Sequence, residues 1–69
     1  MNFGDAFEAA KTGKGMRLPN WSPGVVIKVQ VPDLNSKMTA PYLYVTSRFG
    51  TVPWIATMIE LFETRWELA

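Results

Sequence analysis

The chain has 69 residues, 48% of them hydrophobic, a formal net charge of +1, and neither cysteine nor histidine. Disulfides, thiolate metal sites and imidazole bases are therefore excluded, and with them the commonest zinc and hydrolytic chemistries. The near-neutral balance also argues against a DNA or RNA polymer as partner. A chain this short buries only about 60% of the surface that its unfolded form exposes. With three Trp, four Phe and two Tyr to shelter, self-association into a homo-oligomer is the expected remedy.

Asn2 is placed to cap a helix, with Asp5 three residues on. Phe3, Ala6, Phe7 and Ala10 then recur at helical spacing. Gly13 suits the position just past a helix end. The spacing predicts a short amphipathic helix over residues 3–12, docked through Phe3 and Phe7. "GMRL" (15–18) reads as a brief strand ended by Pro19, and "PNWSPG" as a turn between two prolines. In "VVIKVQV" (25–31), Val25, Ile27, Val29 and Val31 share one face of a strand that Pro32 stops. "DLNSKMTA" (33–40) is polar and turn-rich, a loop expected to be mobile. "YLYVTS" (42–47) is a second strand. "RFGT" turns the chain into "VPWI", where Pro53 demands a sheet edge or a strand end. Met58, Leu61 and Phe62 predict a helical turn near 57–63, and residues 65–68 alternate as a closing strand with Trp66 and Leu68 inward. The sum is one α+β domain over residues 1–69: an N-terminal helix packed on a small, mostly antiparallel sheet, with a helical turn before the last strand.

Catalytic chemistry finds little support. Ser22, Ser36 and Ser47 have no base near them in sequence. Glu60 and Glu63 could share a helix face as paired carboxylates, but two glutamates on a short surface turn are usually solvated. "TGKGM" (12–16) follows a helix where a phosphate loop would precede one, so it reads as a helix end and a turn. The apolar runs are too short to span a membrane, and the opening residues lack the pattern of a secretory signal, so the cytoplasm is the expected location. Charge is uneven. Residues 1–48 hold six Lys/Arg against three acids, whereas residues 49–69 hold Arg65 against Glu60, Glu63 and Glu67.

The aromatic residues are more informative. Trp21 sits in a proline-flanked turn and Trp54 directly follows Pro53. Each either closes the core or a subunit seam, or walls a site for a flat ring, since nucleobases stack on indoles. Trp66, in an alternating segment, reads as core. Arg17, Lys28 and Arg48 are candidates for meeting phosphates, although lone surface charges are more often simply solvated.

The order of motifs adds a resemblance. "MNFGDAFEAAKTGKGMRLPNW", "MTAPYLYVTSRFGTVPWIAT" and "LFETRWEL" lie in the same order as three blocks of the Thoeris anti-defense proteins of the second type, and cover nearly the whole chain. That family resembles a molecular sponge. The resemblance implies a homotetramer that binds a nucleotide immune messenger in the host bacterial cytoplasm without cleaving it. The messenger would be a glyco-cyclic ADP-ribose or, at a separate site, a cyclic di- or trinucleotide. It implies no enzyme activity and no cofactor. It would use Trp21 and Trp54 for adenine, Arg17 and Arg48 for pyrophosphate, and Asn20, Thr51 and Thr57 for ribose hydroxyls, with Pro53 and Glu60 beside them. This chain departs from the family pattern at Thr57, Met58, Ile59, Glu60 and Arg65, so ligand choice is expected to differ there. A protein-interaction module that inhibits a host protein by direct contact is the competing reading.

Overall fold

In the computed structural model, which describes residues 1–69, Asn2 opens the first element. Its side-chain oxygen accepts the Asp5 N–H at 2.8 Å, pairing a donor that the first helical turn leaves free. Helix α1 (Phe3–Ala10) follows. It stops two residues short of the expected end because the chain passes into a turn that closes at Gly13, with φ +101°. Its fully buried residues are Ala6 and Ala10; of the two phenylalanines on which docking was expected to rest, Phe3 packs partly buried against the core. Two small side chains let the helix axis approach the sheet, while Phe3 and Phe7 stack on each other at the rim, centroids 5.9 Å apart.

The sheet comprises β1 (Met16–Arg17), β2 (Val26–Gln30), β3 (Tyr42–Ser47), β4 (Gly50–Pro53) and β5 (Glu67–Leu68), with helix α2 (Met58–Phe62) between the last two. The order is β4-β3-β2-β1-β5 and every pairing is antiparallel. Ile27 stands opposite Met16 on one side and Val45 on the other, and Val29 opposite Leu43. Strand alternation then assigns the two faces. Met16, Ile27, Val29, Leu43 and Val45 look toward α1, and Lys28, Gln30, Tyr44, Thr46 and Thr51 look away. The buried hydrophobic core is small: Ala6, Ala10, Met16, Leu18, Ile27 and Trp66. Gly15 is also buried, and a Cβ there would stand 2.6 Å from Cγ1 of Val26.

Two features of the β3–β4 hairpin set the places of Arg48 and Trp54. Ser47 pairs with Gly50, so Arg48 and Phe49 form the tip, and Gly50 takes φ +126°, a conformation that favours glycine. Pro53 is the last residue of the edge strand β4, as its sequence position demands. It pairs with Tyr44, and the next residue, Trp54, still donates its N–H to the Leu43 oxygen at 2.9 Å. In an antiparallel pair, hydrogen-bonded and non-bonded positions alternate. Pro53 therefore occupies a position whose N–H would point outward, and its missing donor costs β3 nothing.

Helix α2 is set by a reciprocal cap. The Glu60 N–H donates to Thr57 Oγ1 at 3.2 Å, and the Thr57 N–H donates to Glu60 Oε1 at 2.8 Å. After it, Trp66 drops into the core, 1% exposed, and its Nε1 donates to the Glu60 oxygen at 2.9 Å. Leu68 pairs with Met16 on the expected face but remains 42% exposed, since β5 is a two-residue edge strand.

Candidate ligand-binding cleft

Four aromatic rings meet where α1, the 19–24 turn, the end of β4 and the chain before β5 converge. Trp66 is the hub. Its ring meets Trp21 edge-on at 5.4 Å and 88°, Phe3 at 5.5 Å and 74°, and Trp54 at 6.2 Å and 76°. Trp21 and Trp54 also meet each other at 6.3 Å and 75°. Edge-to-face geometry places the positive ring edge on the negative face of the next ring, which favours such clusters. Because Trp66 is central, Trp21 and Trp54 stand outside it and are half-buried. Each indole is thus packed against the core on one side and open to the surface on the other. No buried side-chain donor or acceptor lacks a partner.

The outward sides of those indoles line a cleft of about 480 Å³, together with Asn20, Ser22, Val25, Val45 and Glu60. This is within the size range of small-ligand sites, roughly 300–1,000 Å³. A second hollow of about 460 Å³ lies between α1 and the β2–β3 ladder, lined by Phe7, Val29, Val31 and Leu43 among others. It is almost wholly apolar, and its cation, Lys11, is paired with Glu8 at 2.9 Å. The tryptophan cleft combines flat apolar walls with amide, hydroxyl and carboxylate groups, and is the better candidate for a polar ring-bearing ligand.

The structure brings Asn20, Trp21, Trp54 and Glu60 together in this cleft. Arg48, at the hairpin tip, lines an adjoining depression. Thr57 serves the α2 cap beside the cleft. Thr51 and Pro53 lie on the outer face of the sheet, where the Thr51 hydroxyl meets that of Thr46 at 3.2 Å. Arg17 also faces outward and its guanidinium is committed. It is paired with Glu67 at 2.9 Å and donates to the backbone oxygens of Trp21, Ser22 and Val25. Arg17 therefore shapes the cleft by holding the turn that carries Trp21. Ser22, Val25 and Val45 line the cleft without having stood out in the sequence. The Ile27–Val45 pairing that turns Val45 inward is the signal that finds it.

Electrostatically, the α2 end is acidic but internally compensated. Arg65 donates from Nε to Glu63 Oε1 at 2.9 Å and from Nη2 to Oε2 at 3.1 Å. This side-chain hydrogen bonding, helped by the Thr64 N–H, holds the Glu63 carboxyl at about 2, well below its ordinary 4.5. A depressed carboxylate stabilises the fold above its unfolded value and loses that contribution as pH falls from 4.5 to about 2. Carboxyl-detected NMR titration should show this low midpoint for Glu63 in the wild type. In Arg65→Gln the midpoint should return toward the ordinary value; if it does not, the fork is not its cause.

No helix is long and apolar enough to cross a membrane. No curated protein matches the sequence. A family model does: residues 1–69 match Tad2-like, the Thoeris anti-defense 2-like domain.

Proposed function

Since this chain belongs along its whole length to the Tad2-like, Thoeris anti-defense 2-like family, we propose that it serves Thoeris anti-defense as a sponge, binding a nucleotide immune messenger without cleaving it. The observation that carries this reading is the cleft lined by Trp21 and Trp54, half-buried rings held edge-on to Trp66. Indoles held rigidly from behind lose little freedom when a nucleobase stacks on them. Asn20 and Glu60 stand beside them to meet ribose hydroxyls or an exocyclic amine. Sequestration asks nothing more of the protein than affinity, and the chain has no histidine or cysteine to supply a base or nucleophile. The ligand class is glyco-cyclic ADP-ribose, with cyclic di- or trinucleotides as the related candidates.

Self-association belongs to the same reading. Leu34, Phe49, Ile55, Ile59 and Phe62 are each more than four-fifths exposed in the single chain. Apolar surface of this extent marks interaction sites, and a homotetramer would cover part of it. The exposed Ile55, Ile59 and Phe62 around α2 also favour a second reading, direct capture of a host protein.

Calorimetry with glyco-cyclic ADP-ribose isomers and cyclic di-AMP separates the two. Submicromolar binding, with intact nucleotide released on heating, is the outcome expected of a sponge. Absence of binding at micromolar protein, together with a stoichiometric host protein in a pull-down, would replace that reading with the second.

A further inference from the structure

We propose that the cleft continues beyond the tryptophans to Arg48, forming a second compartment that takes the phosphate of the ligand and fixes the direction in which it lies. This rests on the nucleotide-binding reading above. The continuity is structural. Val45 lines the tryptophan cleft and Ser47 lines the depression at the hairpin tip. They are two residues apart on β3 and so share a face. Ser22 and Val25 line both hollows. The second compartment measures about 420 Å³, comparable to the first. The two form one trough along the inner face of β3, from α2 to the hairpin tip.

Its ends carry opposite charge. The chain has three arginines, of which Arg17 is paired with Glu67 and Arg65 with Glu63. Arg48 has no carboxylate within ion-pair distance. Its guanidinium lies over the Phe49 ring, 4.7 Å from the centroid. The ring contact leaves its N–H groups without an acceptor in the chain, the condition in which a guanidinium can fork onto phosphate oxygens. At the other end stands Glu60. One of its carboxylate oxygens accepts the Thr57 N–H, and the other is free to accept from the ligand. A carboxylate repels phosphate and receives hydroxyl or amino donors. The trough therefore admits a nucleotide in one direction: phosphate at Arg48, base against Trp21 and Trp54, and donor-bearing edge at Glu60.

The test is calorimetry of the wild type, Arg48→Gln and Arg48→Lys with glyco-cyclic ADP-ribose and cyclic di-AMP at two salt concentrations. Circular dichroism would check that the exposed substitutions leave the fold intact. In Arg48→Gln, affinity for whichever of these the wild type binds should fall by roughly tenfold or more, the scale of a lost charge-assisted fork. The dependence of affinity on salt should flatten, and Arg48→Lys should lie between, since it keeps the charge but not the fork. Unchanged affinity in Arg48→Gln, or a loss with wild-type salt dependence, overturns the phosphate compartment and leaves the sponge reading standing. Failure of the wild type to bind either nucleotide overturns both.

Discussion

Replacing Trp66 by alanine is expected to destabilise the fold by about 3–5 kcal/mol, the range for deleting a buried aromatic side chain. The side chain is among the largest fully buried ones, and three other aromatic rings meet it. At roughly 0.05–0.15 kcal/mol per residue, a chain of 69 residues has a total stability of only about 3–10 kcal/mol. The variant should therefore be largely unfolded or close to it, as urea titration followed by circular dichroism would show. Trp66→Phe should cost less. It retains a ring, and the Glu60 oxygen that loses the indole N–H still accepts from the Glu63 N–H at 3.3 Å. An unaltered urea midpoint in the alanine variant would remove Trp66 from its place as hub.

Trp54→Ala is expected to weaken messenger binding by about 1–3 kcal/mol, the measured worth of one base–aromatic stack. Trp21→Ala should act on the same scale. Both indoles also brace Trp66, so some loss of folding stability accompanies each substitution. The comparison must be made at a temperature where wild type and variant are both folded. Calorimetric affinity then reports the loss of the ring from the cleft wall without the cost of unfolding. Trp54→Phe offers a control that keeps a flat ring with less area, and its affinity should fall between the two. Affinity equal to that of the wild type in the folded alanine variants would exclude these indoles from the site.

Local features of this fold are plain in the sequence where one residue type has one physical use. Asn2 caps because its side chain is short and accepting, and the alternation in residues 25–31 and 42–47 specifies strands. What single positions do not reveal is facing. Arg17 sits in a two-residue strand, too short for alternation to show, and only its pairing with Glu67 reveals that it looks away from the cleft. Thr57 and Glu60 are polar residues shortly after Trp54, which makes them look like ligand groups. Their spacing of three is also that of a capping box, which the structure forms while Glu60 lines the cleft as well. Of Phe3 and Phe7, the pair that suggests how α1 docks, Phe3 does reach the core, but Ala6 and Ala10 are the residues buried there in full, because proximity to a sheet rewards small side chains. Arg48 and Arg17 are both phosphate candidates in the sequence, and only the ion pairs of the fold tell them apart: Arg48 alone among the arginines lacks a carboxylate.

The outward-facing position of Pro53 bears on how copies of the chain can join. β4 is an open sheet edge, and an open edge invites another strand to add to it, then another, without limit. A chain that leaves so much apolar surface uncovered would be at risk of growing into filaments. Pro53 removes one outward donor from that edge, and the opposite edge, β5, offers only two residues. Neither rim is a good template for polymerisation. The self-association proposed above is thus directed to side-chain surfaces, where rotational symmetry can close an assembly at a finite number of subunits.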